Sequence, residues 1–447
     1  MEQDNKDTPL NIAVIGSGIS GLSCAWLLSH KHKVTLYEKD DRLGGHSHTV
    51  RVNLDGKTVD VDTGFIVFNE NTYPNLKAFF RNLGVDEVAT DMSFGVSLNQ
   101  GALEYSGSDL NGIFAQRKNL LKPSYWRMLR DILRFYKKSE EWLKTLTPEI
   151  SLGQLLKKEG FSKTFIRDHL LPMGAAIWST PEDKMLDYPA LAYLRFCQNH
   201  GLLQVSDRPR WLTVMGGSRN YVNKLADLLG NSVQLNRCVK DVKRYDDHVL
   251  VEDLQGDVQS FDHVVMASHA DTSLSLLAEP DELEQHLLGS FSFQRNRAVL
   301  HSDESLMPEN KRAWASWNYL GSESGQGPSV TYWMNRLQHI DSRSLFVTLN
   351  PGQEPAAEKI HGCYLYDHPV FDQAAMSAQK RLWELQGRNR TWFCGAWFGY
   401  GFHEDGIQSG LAVAEALGNV RRPWTVAGES DRLIIPDTDK TAGSIQG

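Results

Sequence analysis

The stretch from Ile12 to Leu28 constrains the fold more than any other part of the 447-residue chain. Four apolar residues, Ile12–Ile15, run into Gly16-Ser17-Gly18-Ile19-Ser20-Gly21, and the helix-like Leu22–Leu28 follows. A strand that ends on GxGxxG and reopens as a helix is a dinucleotide-binding turn. Gly16 permits the tight turn, Gly18 lets a pyrophosphate approach the backbone, and Gly21 allows close helix–strand packing. Free N–H groups at the positive end of the helix then face the phosphates. Glu38 closes the next β-rich segment, Val34–Tyr37, where its carboxylate is placed for ribose hydroxyls. Ile12–Ser29 carries no charge, but three glycines and four serines dilute it and Glu2, Asp4 and Asp7 precede it. That is neither a membrane span nor a signal peptide.

A formal charge of −8 excludes sequence-independent nucleic-acid binding, which needs a basic field. Cys24, Cys197, Cys238, Cys363 and Cys394 are odd in number and lack a CxxC pair, which suits a reducing compartment. The expectation is a cytoplasmic protein. His46 and His48 sit in a glycine turn without carboxylate partners, so no metal is expected.

After Glu38 come Lys39, Arg42, Gly44, Gly45, His46 and His48, then Asp62, Thr63, Gly64 and Phe65. A glycine doublet gives a second close backbone approach, useful for a cofactor longer than NAD. These residues resemble the flavin-containing amine oxidase superfamily, which includes monoamine oxidases, protoporphyrinogen oxidases and carotenoid desaturases. Trp211–Leu229 resembles that family's GG-x-x-x-L segment, with Val239 and Val242 on its adenine-contacting strand. Trp392–Leu417 resembles its closing flavin motif, in which a helix beginning near Gly406 and Ile407 points its N-terminus at the flavin. The resemblance implies non-covalent FAD, with contacts from Gly16, Gly18, Ile19, Ser20, Gly21, Glu38, Lys39, Arg42, Gly44, Gly45, His46, Thr63, Gly64, Phe65, Val239, Gly395, Glu404, Gly406 and Ile407. The chain departs from the family at Ala396 (often acidic), Asp405 (usually glycine) and His46 (commonly arginine), and has no cysteine at the covalent-flavin position. These departures bear on the amine-oxidase reaction more than on FAD.

The expected fold is α/β: a Rossmann-like FAD-binding domain from 9–70, 212–275 and 388–420, interleaved with an α+β substrate-binding domain from 71–211 and 276–387. Residues 72–198 read as mostly helical, and 421–447 as a loose polar tail. A closer resemblance, through Arg312–Tyr319, Thr331–Gln338 and Phe346–Pro351, is to bacterial NAD/FAD-binding oxidoreductases and to the flavin region of plant cyclopropane fatty-acid synthases. It implies a lipid acyl substrate. Trp178, Tyr188, Trp211, Trp314, Trp317, Tyr332, Trp333, Trp397 and Tyr400 supply aromatic surface for an apolar pocket or for core packing. Phe402 matches a family position whose ring walls the substrate beside the flavin. His403 follows as acid, base or anchor, or as a histidine bonded within a tight loop.

The function expected is hydride transfer from an apolar, lipid or fatty-acyl substrate to flavin N5. The alternatives are an amine oxidase producing imine and hydrogen peroxide, and a flavoprotein that presents lipid to a lipid-modifying partner enzyme. Residues 117–138 carry eight basic side chains against Asp131 alone. Arg127, Arg130, Arg134 and Lys138 follow helical spacing opposite Trp126, Leu129, Leu133 and Tyr136. That stripe reads either as a solvated face or as peripheral contact with an anionic inner membrane face.

Overall fold

The computed structural model describes residues 8–54, 56–147, 149–178, 182–204, 208–321 and 329–436. Its organising layer is a five-stranded parallel sheet in the order Val233–Gln234, Lys33–Tyr37, Asn11–Ile15, His263–Met266, Thr391–Phe393. Val14 lies opposite Leu36 on one side and Val265 on the other, and Val265 opposite Trp392. A parallel sheet is covered on both faces, so its strands read as continuous apolar runs, and Ile12, Ala13 and Val14 are fully buried. The strands come from stretches hundreds of residues apart. The chain therefore leaves this layer and re-enters it, as the recurring nucleotide-type segments imply.

Two helices, Ile19–Leu28 and His403–Gly418, lie against each other on this layer. Glycine makes the approach possible. A Cβ on Gly406 lands 2.7 Å from Ile19 Cγ2, one on Gly410 2.2 Å from Ser20 O, and one on Gly418 2.6 Å from Leu28 Cδ2. The contacts advance together along both helices, so the helices run parallel with adjacent N-termini.

A seven-stranded sheet runs Ile360–Val370, Ser292–His301, Phe346–Leu349, Ser329–Trp333, Trp317–Gly321, Phe94–Leu98, Leu103–Ser106. It is antiparallel except where Trp317–Gly321 pairs parallel with Phe94–Leu98. Helices Pro123–Thr145, Leu152–Glu159, Leu171–Trp178 and Ala190–Asn199 contribute to a second core with Val96, Tyr105, Trp317 and Tyr319. The mostly helical reading of 72–198 thus misses Glu87–Thr90, Phe94–Leu98 and Leu103–Ser106. The middle strand pairs on one side with its hairpin neighbour Leu103–Ser106 and on the other with Trp317–Gly321, more than 200 residues away.

The basic helix is also turned from its expected orientation. Tyr125, Met128, Asp131, Phe135, Ser139 and Trp142 face the core, while Trp126 and Leu133 are exposed beside Arg127 and Arg130. Asp131 tolerates burial because its carboxylate accepts from Ser162 N at 3.0 Å and pairs with Arg134 at 3.5 Å.

Residues 421–436 are no loose tail. Arg422 is buried, donating to both Glu415 oxygens at 2.8 Å, to Asn75 Oδ1 at 2.9 Å and to Glu429 O at 2.8 Å. Trp424 stacks on Trp26 at 5.9 Å. Residues 437–447 of the expected tail lie outside the described residues. Replacing Arg422 by Ala strands Glu415 and Asn75 and should cost about 3–5 kcal/mol of stability, as for other broken buried ion pairs. Chemical denaturation measures it, and unchanged stability would show the segment to be dispensable.

Candidate active site

The glycine turn forms as its sequence requires. Gly16 has φ +105°, and its amide donates to Tyr37 O at 2.9 Å. A Cβ on Gly21 would stand 1.9 Å from Gly16 O, whereas one on Gly18 meets nothing within 4 Å. The helix Ile19–Leu28 starts with no side-chain cap and no acid in its first turn. Glu38 is buried beside the turn, accepting from Ser17 N at 3.1 Å, from Ser17 Oγ, and from Asp40 N at 2.9 Å. Val239 begins a buried-edge strand nearby, and Arg237 N donates to Glu38 O at 2.9 Å. Lys39 is exposed, its charge felt by His269 and Asp367.

The glycine doublet lies on this turn. Gly44 N donates to Ser17 O at 3.0 Å, and a Cβ on Gly45 would come within 3.1 Å of Gly18 Cα. Arg42 Nη1 donates to Gly45 O at 2.9 Å. The chain then meets 63–65: Phe65 N donates to His46 O at 2.8 Å, Thr63 N to His48 O at 2.9 Å, and a Cβ on Gly64 would stand 2.2 Å from His46 O. His46 packs near Tyr366 (5.1 Å) and His368 (5.4 Å), whereas His48 Nδ1 lies 3.1 Å from the Tyr366 hydroxyl. Both histidines meet Tyr366, His46 near its ring and His48 at its hydroxyl.

At the C-terminal motif, Gly395 N donates to Ser409 Oγ at 3.0 Å. Phe402 precedes the helix His403–Gly418 with no capping bond from its own side chain, while Asp405 in the first turn accepts from the Phe402 N–H. His403 stacks on Phe65 at 3.7 Å with its Nε2 2.8 Å from Ser47 Oγ, which in turn bonds the Tyr221 hydroxyl. The loop-bound reading of His403 describes these contacts, with side chains as partners rather than backbone. Burial pushes its pKa down to about 3, so the ring is neutral. Ile407 is buried in the core shared with Ile19.

Glu404 differs from its expected role. Its carboxylate accepts from Asn75 N (3.0 Å), Asn75 Nδ2 (2.9 Å), Leu76 N (3.0 Å) and Gln408 Nε2 (3.1 Å). It serves the N-terminus of the helix Pro74–Leu83, and we leave it out of cofactor contact. Asp405 accepts from Phe402 N at 2.7 Å and pairs with Arg432 at 2.8 Å. Burial opposes the Arg432 charge, but the Asp405 carboxylate outweighs it and holds the guanidinium above its ordinary value. Sequence reasoning missed Arg432, Asn75, Tyr366 and His368. An acid in place of the family's glycine at 405 was the signal that a cation must answer it.

The aromatic residues do not form one pocket. Trp314 and Trp333 pack with Phe346 and Met307, and Trp397 packs on Phe291 and Phe398. Phe402 borders both large cores, 5.2 Å from the rings of Phe196 and His200. The Trp178 side chain lies outside the described residues.

Two adjacent helix N-termini over two abutting glycine turns, with a buried carboxylate behind them, define a dinucleotide-binding flavoprotein site. Residues 19–317 match the flavin containing amine oxidoreductase family, and the chain belongs to it. Amine oxidase [flavin-containing] A of Canis lupus familiaris is 25% identical over 272 residues, covering 58% of this chain and 49% of that one. Amine oxidase [flavin-containing] B of Homo sapiens is 24% identical over 269 residues, covering 58% and 50%. The chain thus spans about half the length of these relatives. Similar folds include putrescine oxidase bound to putrescine (TM-score 0.65, 15% identity, 91% and 98% of the two chains). The CLA-producing fatty acid isomerase from P. acnes is as similar (TM-score 0.64, 14%, 91% and 98%). FAD is the cofactor that membership implies, and the open space at Gly18 and the uncapped start of the helix Ile19–Leu28 fit it.

Two outcomes follow from this geometry. Gly18→Ala should leave the apoprotein's unfolding midpoint unchanged while weakening FAD retention roughly tenfold or more, because the methyl takes the space of the phosphates. Gly21→Ala should lower the midpoint itself, since its Cβ lands on Gly16 O. Flavin absorbance and thermal melts separate the two. Burial also holds His46 well below its ordinary value, His169, His200 and His368 near 4, and His403 near 3. Their unfolded counterparts protonate near 6.5, so the unfolded chain binds more protons below that pH. Stability is complete above pH ~6.5 and falls toward pH 4, by about 1.4 kcal/mol per pH unit for each proton taken up. Melts of the flavin-loaded protein between pH 7 and 5 check the slope, and a flat profile contradicts the buried neutral imidazoles.

Proposed function

We propose that the chain is an FAD-dependent oxidoreductase acting on an apolar, fatty-acyl substrate drawn from an anionic lipid surface. Gly16, Gly18–Gly21, Gly44–His46 and Thr63–Phe65 hold the cofactor, Glu38 its ribose, Val239 its adenine, and Gly395, Gly406 and Ile407 its flavin end. When bound, FAD supplies a two-electron acceptor. The paired helix N-termini stabilise negative charge on the cofactor, and aligned partial charges of this kind contribute about 0.3–1 kcal/mol each, more when partly buried. Phe402 and Phe196 wall the substrate with hydrocarbon, and the His403–Ser47–Tyr221 bonds fix Phe65 and the neighbouring loop. Cys394 beside Gly395 is buried, and the Cys24 thiol against it is pushed well up by burial and by that neighbour, consistent with a non-covalent cofactor.

The observation that carries the lipid reading is the surface 110–133. Leu110, Leu120, Leu121, Trp126 and Leu133 are all exposed, Leu121 by 87%, amid Arg117, Lys118, Lys122, Arg127 and Arg130. Trp126 is held in place by its indole N–H, which donates to Leu120 O at 2.9 Å. Exposed leucines and an interfacial tryptophan ringed by cations suit an anionic bilayer surface. No helix among the described residues is long and apolar enough to cross a membrane, so this contact is peripheral. Arg134 takes no part: it donates to Glu159 O and covers Phe161 at 4.2 Å.

The test is anaerobic mixing. Phospholipid extract should bleach the flavin absorbance, and putrescine and other primary amines should not; bleaching by amines alone overturns the lipid reading. Replacing Arg127, Arg130 and Lys137 by Gln should weaken sedimentation with phosphatidylglycerol vesicles roughly 100-fold, at about 1 kcal/mol per charge. Unchanged sedimentation returns the helix to a solvated face.

A further inference from the structure

We infer that His200 is the base of this reaction, its Nε2 taking the hydrogen that leaves the substrate as a proton. The inference rests on the fatty-acyl oxidation proposed above. Desaturation breaks two C–H bonds on adjacent carbons. One hydrogen leaves with its electron pair to the flavin, the oxidant. The other leaves as a proton, its electron pair becoming the second bond of C=C, and that proton requires an acceptor.

His200 follows the helix Ala190–Asn199 and is 5% exposed. Its Nδ1 lies 2.9 Å from Phe196 O. A carbonyl only accepts, so the hydrogen sits on Nδ1 and Nε2 carries the lone pair. That nitrogen is buried and has no hydrogen-bond partner among the described residues. Buried acceptors are nearly always satisfied, and an orphan calls for an explanation such as a missing ligand or a chemical role. The ring stacks on Phe196 at 4.0 Å and stands 5.2 Å from Phe402, on the aromatic wall assigned to the substrate. His403 is unsuited to the same task because its Nε2 faces Ser47 and its ring is held on Phe65.

The surroundings keep the imidazole in the neutral form a base needs. Tyr73 faces it edge-on at 6.4 Å, Trp211 lies 6.2 Å away, and the charged group acting on it is Arg432, itself paired with Asp405. Burial first, then the Arg432 charge, lowers its pKa to about 4, against the hydrogen bond to Phe196 O.

His200→Asn keeps a donor where Nδ1 stands and removes Nε2. In flavin-loaded protein it should retain the wild-type spectrum and melting midpoint, leave KM for the phospholipid extract unchanged, and lower kcat roughly 100-fold or more, with the acid limb of the kcat profile abolished. His200→Gln, which offers an amide in place of the basic nitrogen, should not rescue it. Wild-type kcat in either variant overturns the inference. A readout independent of turnover is 15N-histidine NMR with oleate as the probe: the His200 Nε2 resonance should shift on binding, and no shift overturns the assignment. Should no lipid reduce the wild-type flavin, the oxidation reading fails by itself, while the oleate shift still decides whether Nε2 faces the acyl pocket.

Discussion

The rest of the structure depends on two helices meeting on glycine. Parallel helices packed this closely set like ends side by side, so the partial positive charges of Ile19–Leu28 and His403–Gly418 add at one place instead of cancelling. Such an arrangement is costly unless an anion answers it. The first turn of one helix has no acid; in the other, Glu404 turns to the helix Pro74–Leu83, and Asp405, paired with Arg432, closes only the Phe402 N–H. The positive field is left for something the chain does not itself supply. A diphosphate and an electron-rich ring system are the complementary groups, which is why the fold and the cofactor are one design.

The local part of this was legible before the structure. The strand, glycine turn, helix and acid span fewer than thirty residues; Gly16 and Gly21 are required by contacts within that span or with the sheet beside it, and Gly18 leaves open space. What could not be read depends on distant partners. Phe94–Leu98 joins the seven-stranded sheet through Trp317–Gly321, which pairs with it on the side away from its hairpin partner Leu103–Ser106. The basic helix buries Asp131, not Trp126, because Tyr125, Met128, Phe135 and Trp142 form the stripe packed in the second core, and the Ser162 N–H satisfies the carboxylate carried in with them. Arg422 and Arg432, in a stretch that reads as polar tail, are core residues because Glu415 and Asp405 wait for them.

The same distinction separates His403 from His200. By sequence, His403 has the privileged address, at the mouth of the flavin motif, and His200 has none. In the folded chain, position in the motif costs His403 its freedom: Ser47 and Phe65 occupy it. His200 arrives at the same wall from the other core, with one nitrogen spent on its own helix and the other left over.

Charge is distributed accordingly. Where the resembling family carries arginine after the glycine doublet, this chain carries His46, held neutral by burial and by its histidine neighbours. The interior around the site thus trades a fixed cation for neutral imidazoles and aromatic rings, leaving anion recognition to backbone N–H groups. The surplus of positive charge sits outside, around exposed leucines on 110–133. A site for a small charged amine gains nothing from such a surface, since cations there repel it and hydrocarbon does not hold it. For the acyl substrate proposed above, the basic rim would attract an anionic lipid headgroup, and the uncharged aromatic wall would receive the part that reacts.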